Sequence, residues 1–382
     1  MRLPHILLLT ASVAIIGSNS LALGPIAVPV AAAFPGATEQ AVMLASALFG
    51  AGTALSALTL APAVDRVGLS RSLCLALMLL TAAMLATALA PSLAGLRVAQ
   101  AVAGVATGVA LPATYGLAAV HAPPGRASAY LGRVLTGWTL SLVFGASLAA
   151  VLTDLVGWRA VFGVLAVAGV ATLAALVSQG YLAAPRARVS GVTPLAALRV
   201  PGIAPALAGC FLFMIAFYGL YAFLGTHLQE GLGLPGWAVG AAPLVYGVGF
   251  WAASFADPVI DRKGARVVAP VIFAAMAGVY GVLAAVSGQA VALIAMCAVW
   301  GAVNHLGLNL VVGRLSALDP ARRGAILGLN SGVTYIAMFA GTPLFGWVFA
   351  QAGFAACALL SGACILLALA ELVVLRRRSV PA

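Results

Sequence analysis

From residue 5 to residue 375 the chain is a succession of apolar runs of about 20 residues or more, each ended by a short polar break. A helix rises 1.5 Å per residue, so runs of roughly 20 residues match a hydrocarbon core of about 30 Å. Lipid offers no water to satisfy backbone N–H and C=O groups, and a helix closes its own hydrogen bonds. With Pro, Gly and charges as punctuation, spans fall near 5–33, 40–62, 71–90, 92–119, 127–153, 159–182, 203–228, 237–259, 267–287, 289–313, 324–349 and 354–375. The expected fold class is an all-α membrane protein with twelve transmembrane helices.

Composition agrees: 64% of the residues are hydrophobic and 7% charged, against roughly 25% charged in a soluble domain. No stretch remains for a soluble domain. The apolar stretch after Arg2 runs on past Pro25 and Pro29 to Phe34, too long for the core of a signal peptide, and reads as the first span. Cys74, Cys210, Cys297, Cys357 and Cys364 all lie inside apolar runs without CxxC or paired-His spacing, so they read as packing residues and no metal is expected. The net charge of +11 comes from residues scattered over short loops, not from a patch with interleaved aromatics, so no nucleic-acid partner is expected.

Those loops carry the topology. With a cytoplasmic N-terminus, seventeen of the nineteen basic residues fall on the inner side; Arg97 and Arg159 fall on the outer side with Glu39, Asp154 and Glu230. The positive-inside rule then puts both termini in the cytoplasm. Arg outnumbers Lys eighteen to one, a codon-usage sign of a GC-rich bacterium, and the plasma (inner) membrane is the expected location.

Sliding the chain by 196 residues aligns Pro62, Asp65, Arg66 and Gly68 with Pro258, Asp261, Arg262 and Gly264. The same offset pairs Pro124, Arg126, Gly132, Gly145 and Gly157 with Pro320, Arg322, Gly328, Gly341 and Gly353. An Asp-Arg-x-Gly match among only eight acidic residues points to a real duplication: two pseudo-symmetric six-helix bundles, 1–182 and 203–382, joined by a cytoplasmic linker, 183–202. Parallel halves of this kind place a transported solute at the midplane between them.

Two loops carry related motifs, Ala61-Pro62-Ala63-Val64-Asp65-Arg66-Val67-Gly68-Leu69-Ser70-Arg71 and Asp257-Pro258-Val259-Ile260-Asp261-Arg262-Lys263-Gly264-Ala265-Arg266. Both resemble the G-x-x-x-D-R-x-G-R-R loop of the major facilitator superfamily, with Ala61 and Asp257 in place of the leading glycine. Arg97, Gln100 and the displaced Gly104 resemble its R-x-x-Q-G signature in span four. Gly132, Ser141, Gly145, Ala146, Ala149 and Ala150 follow the spacing of its antiporter signature in span five, without the proline. Small faces at Gly104, Gly108 and Pro112, and at Gly324, Gly328 and Gly332, read first as helix packing.

The resemblance implies the twelve-helix fold of that superfamily and, for the drug or metabolite efflux branch, secondary active export of a small organic solute, with protons as coupling ion and no cofactor. An importer or facilitator of the same fold is the alternative; a non-transporting membrane sensor is a further one, although no output domain accompanies the spans. No span carries an enzyme constellation or a P-loop. Lipid bilayer and solute are the expected partners, and the chain is expected to act as a monomer. The gating residues implied are Asp65, Arg66, Gly68, Arg71, Asp261, Arg262, Gly264 and Arg266, with Arg126 and Arg322. Asp65 is expected near Arg323 and Gly324, and Asp261 near Arg126 and Ala127, because a carboxylate in lipid needs an arginine or a helix N-terminus.

Spans one, four, seven and ten line the cavity in the family, which makes Asn19, Arg97, Gln100, Phe217, Tyr218, Tyr221, Asn304, His305 and Asn309 the cavity candidates. Each has a plain structural reading beside this one: Arg97 snorkelling to the interface, the aromatics packing in a core, His305 a satisfied core histidine. Span one offers Asn19 and no carboxylate, and Glu371 reads as an interfacial charge of span twelve. His305 therefore remains the midspan group of a type that exchanges protons near neutral pH.

Overall fold

The computed structural model describes residues 3–60, 64, 67–122, 127–181, 194–319 and 322–378, and every regular element among them is a helix. In chain order these are α1 (Leu3–Ala32), α2 (Glu39–Thr59), α3 (Leu69–Ala88), α4 (Leu93–Val120), α5 (127–156) and α6 (Trp158–Ser178). Then come α7 (Ile203–Gly231), α8 (236–263), α9 (Ala265–Ala285) and α10 (Ala290–Leu318), followed by one stretch, Arg323–Arg378. That stretch holds a 50-residue run of high mean hydropathy, Gly324–Val373, far more than one crossing needs, and Gly353 breaks it at φ 75°, ψ −173°. The break yields α11 (323–352) and α12 (354–378), so ten single spans and one divided stretch make the expected twelve.

An even count puts the start of α1 and the end of α12 on one face, the terminal face; the opposite one is the far face. The duplication is visible in the backbone. Gly68 (φ 91°, ψ 144°) starts α3, and its partner Gly264 (φ 80°, ψ 135°) starts α9. Gly157 (φ 97°, ψ 156°) turns α5 into α6 just as Gly353 turns α11 into α12. Side chains rarely tolerate these positive φ values, so both pairs need glycine.

In the first set α1 packs on α5 and α6, α2 on α4, and α3 on α4 and α6; in the second α7 packs on α11 and α12, α8 on α10, and α9 on α10 and α12. Lipid gives helices no hydrophobic drive to associate, so close backbone approach must supply the contact. Gly104 and Gly108 press on Phe49 and Thr53 of α2, while Gly249 and Gly301 set α8 against α10. The sets meet along three seams. Contacts of α2 with α11 run from Leu58 and Gly332, past Gly50 and Tyr335, to Gln40 and Gly346. By contrast, α1 meets α7 at Gly24, Pro25, Tyr221 and Gly225, and α5 meets α8 where Val143, Ser147 and Asp154 face Gly247, Gly240 and Gly236. These last contacts run from mid-membrane to the far face.

The small residues expected to mark an antiporter helix sit at a packing seam. Ser141–Ala146 forms a π-helical turn in α5; Ser141 and Gly145 meet Gly17 and Ser18 of α1. Of the expected linker, 183–193 lies outside the described residues; Pro194–Arg199 is a 3₁₀ turn whose Pro194 packs on Gly328 of α11. Asp65, Arg66 and Arg126 also lie outside, as do the side chains of Asp261, Ala127 and Arg323. The expected latch therefore falls outside the described residues. Arg262 and Arg266 are exposed at the terminal face, Arg71 is half-buried in the first turn of α3, and Arg322 approaches Asp319 at 3.6 Å.

Candidate functional site

α7, α8 and α10 build an aromatic wall inside the second helix set. Phe217 of α7 stacks obliquely on Tyr221 (5.5 Å between ring centroids), Tyr246 of α8 (5.7 Å) and Trp300 of α10 (5.9 Å). Tyr246 and Trp300 meet edge to face at 4.9 Å. Asn304 donates to the Tyr246 hydroxyl at 2.8 Å, and this leaves its Oδ1 buried without a partner, as is the Tyr221 hydroxyl. A buried polar atom left unpaired is costly, and these two atoms offer an acceptor and a hydroxyl to anything that enters. Tyr218 packs beside Phe217, with ring centroids 5.0 Å apart.

Toward the terminal face the wall ends in a charge. The helical path of α8 tightens to a 3₁₀ turn at Ser254–Ala256, and Asp257 opens the short helix that follows. Both carboxylate oxygens lie 3.1 Å from Nε2 of His305, and Asn309, one turn along α10, donates to Oδ1 at 2.9 Å. Phe250 closes the other side of the imidazole, edge-on at 4.8 Å. The tautomer that satisfies the contact carries its proton on Nε2, so Nδ1 keeps the lone pair; Nδ1 is buried and has no partner. Asp257 is one-third exposed and His305 less so. Charge within a span is costly and concentrates where a protein uses it.

The other cavity candidates lie elsewhere. Asn19 and Gln100 are buried and bond each other, at 3.1 Å from Asn19 Nδ2 to Gln100 Oε1, while Gln100 also donates to Thr87 of α3. Their polar groups are spent on joining α1, α3 and α4. Arg97 reaches the far face, donating through Nε and Nη2 to the Ala41 carbonyl at 3.1 and 2.7 Å beside a surface pocket lined by Phe34 and Pro91. Phe217, Tyr218, Tyr221, Asn304, His305 and Asn309 come together on the second set.

Residues outside the sequence-derived list complete the picture. Asp257 stood out only as the odd residue at a motif glycine, and Tyr246, Phe250 and Trp300 looked like ordinary apolar residues of their spans. Glu371 is not a lone interfacial charge: Arg314 of α10 holds it in a two-pronged pair at 2.7 and 2.8 Å.

The sequence model of the Major Facilitator Superfamily matches residues 7–317. The chain belongs to this superfamily. A Bacillus subtilis protein described as the uncharacterized MFS-type transporter YwfA is 26% identical over 365 residues, covering 94% of this chain and 88% of its own length. A Pseudomonas aeruginosa protein described as the transcription regulatory protein OpdE is 29% identical over 258 residues, 65% of this chain and 63% of its own. Among solved structures, a D-xylose-proton symporter superimposes with a TM-score of 0.75 over 97% of this chain and 96% of its own, at 15% identity, a likeness of fold. The protein is thus a multi-pass membrane transporter of the superfamily and not an enzyme.

Proposed function

We propose that this transporter exports a small organic solute in exchange for protons by alternating access, with its two six-helix halves rocking about the solute and both termini in the cytoplasm. The observation that carries the proposal is the Asp257–His305 pair between α8 and α10. Coupling needs a group whose proton is held differently in two access states, since an equal affinity for both shifts nothing. A proton arriving at this pair lands on Nδ1, which has no acceptor in the present arrangement. A second arrangement of α8 and α10 that offers Nδ1 an acceptor binds the proton differently. With the far face external, the present state is sealed on the outside, where α5 meets α8 and α1 meets α7. Asn309, exposed, marks the side from which the pair is reached. The aromatic wall suits an amphiphile that partitions into the inner leaflet, hence export.

The test starts from a thermal-shift screen of drugs and metabolites on the purified full chain. The hit is then followed in proteoliposomes under an imposed pH gradient. Wild type accumulates it uphill; His305→Gln and Asp257→Asn lose uphill accumulation while downhill exchange persists. Full gradient-driven accumulation by His305→Gln rejects proton coupling at this pair. Accumulation in right-side-out rather than inverted vesicles, with the same gradient sense, reverses the direction.

A further inference from the structure

We infer that Asp257 is the anchor for the solute itself, that the solute is an aromatic organic cation, and that this cation and the proton of His305 compete for the one carboxylate. The inference rests on the proposed exchange at the same pair and adds the solute class. Of the eight acidic residues, Glu371 is matched by Arg314 and Asp319 lies near Arg322. Asp257 sits within a span, and the partners seen for it are an imidazole and an amide, His305 and Asn309, neither of which carries a fixed charge. When His305 is neutral the carboxylate is a full negative charge, one-third exposed.

The surroundings suit a ring. Phe250 stands against His305 and is stacked at 6.3 Å on Tyr246, which continues the wall to Phe217 and Trp300. Aromatic faces attract cations, more strongly when water is excluded. A carboxylate at the end of such a wall offers one charged contact and a broad apolar one, which a planar cation fills and an anion cannot. Titratable groups on the helices around α10 include Tyr221 from α7, Asp257 and Tyr246 from α8, Tyr280 from α9, and Glu371, already paired with Arg314, from α12. Arg262, Lys263 and Arg266 are exposed at the terminal rim. Asp257 is thus the described charged group that meets the imidazole.

The exchange balances in charge and in protons. With His305 protonated, the imidazolium and Asp257 cancel. When the cation reaches Asp257 the imidazolium gives its proton to water, and the cation takes over as counter-ion: one positive charge enters the site as one leaves.

The test uses 1-methyl-4-phenylpyridinium, its neutral analogue of near-equal shape, 4-phenylpyridine N-oxide, and full-length protein in nanodiscs. Isothermal titration is run from pH 8 to pH 5.5 in two buffers of different ionisation enthalpy, so that proton release is counted directly. Wild type binds the cation at least tenfold more tightly than the N-oxide. It releases up to one proton per cation, with affinity falling by as much as tenfold per pH unit on the acid side. Asp257→Asn erases the preference, and Asp257→Glu restores it, which separates a lost charge from a lost fold. His305→Gln binds the cation with no proton release and no pH dependence. Equal binding of cation and N-oxide, no saturable cation binding by wild type, or undiminished cation binding by Asp257→Asn overturns the inference. If it falls while His305→Gln still fails in uphill transport of the screened solute, proton exchange stands and only the solute class is lost. If the cation binds as expected but releases no proton from wild type, the shared site is overturned.

Discussion

Gly240, in the turn between the first helical turn of α8 and the rest of that helix, faces α5 across the far half of the seam. Its φ of −62° and ψ of −17° suit any residue, so an alanine here meets no backbone strain and tests space alone. A β-carbon would lie 2.6 Å from the Ser147 carbonyl oxygen and 3.3 Å from the Ala150 β-carbon. Carbon contacts settle near 3.5–4.0 Å, so α5 and α8 must part by about 1 Å. Overpacking of this kind costs roughly 1–3 kcal/mol, a factor of about 5 to 150 in the balance between the sealed state and one open at the far face. The assay is the labelling rate of Ser147→Cys by a membrane-impermeant maleimide added at the far face. Cys364 is replaced by Ser in this background, because the other four cysteines are buried. Gly240→Ala raises the rate about 5- to 150-fold, Gly240→Val raises it further, and Gly278→Ala on α9, where a β-carbon meets nothing within 4 Å, leaves it unchanged. An unchanged rate in Gly240→Ala, at an unchanged melting temperature, refutes the reasoning that this seam is the external seal.

Gln100→Leu strands the buried Asn19 amide and lowers stability by roughly 1–3 kcal/mol; adding Asn19→Leu restores part of it, as thermal unfolding in detergent will show. Arg314→Met leaves Glu371 unpaired among helices where it is one-fifth exposed. The cost lies toward the low end of about 3–5 kcal/mol, and the double change Arg314→Met, Glu371→Met costs less than either single one. Alkaline phosphatase fused after Pro185 or Arg378 is inactive and a fluorescent protein at the same points glows, if both lie in the cytoplasm; the reverse pattern overturns the orientation.

The spans were legible because membrane solvent imposes one rule on every crossing: a run of apolar residues long enough to close its own hydrogen bonds. Even the divided stretch at Gly353 could be read, since its partner Gly157 stands 196 residues earlier at the turn of a helix pair. Details of path were hidden. The π-helical turn at Ser141–Ala146 and the 3₁₀ turn at Ser254–Ala256 depend on what α1, α8 and α10 press against them. Polar residues in a span announce that they need partners, but not which ones. Asn19 and Gln100 satisfy each other, and Arg97 escapes to a backbone carbonyl at the far face. Only three-dimensional packing separates these from Asn304 and His305, whose Oδ1 and Nδ1 atoms remain unpaired.

The duplication supplies a way to divide scaffold from function that neither half offers alone. Features both halves need for folding recur at the offset of 196: the motif aspartates and arginines, and the positive-φ glycines at 68 and 264 and at 157 and 353. The site does not recur. Asp257, His305 and Asn309 have Ala61, Val109 and Ala113 as their counterparts, and Asn19 and Gln100 answer to Ile215 and Met296. Asymmetry alone is not enough, because Arg314 and Glu371 are matched by Ala118 and Ala175 and yet satisfy each other fully as a structural pair. Asymmetry combined with an unfilled hydrogen-bonding atom is the stronger criterion. The Asp257–His305 pair meets it, with a buried Nδ1 that lacks a partner, and the Asn19–Gln100 pair does not. In the proposed exchange, a symmetric scaffold with one incompletely satisfied charged pair in one half would make that half the place where the proton is held, with the other half moving against it.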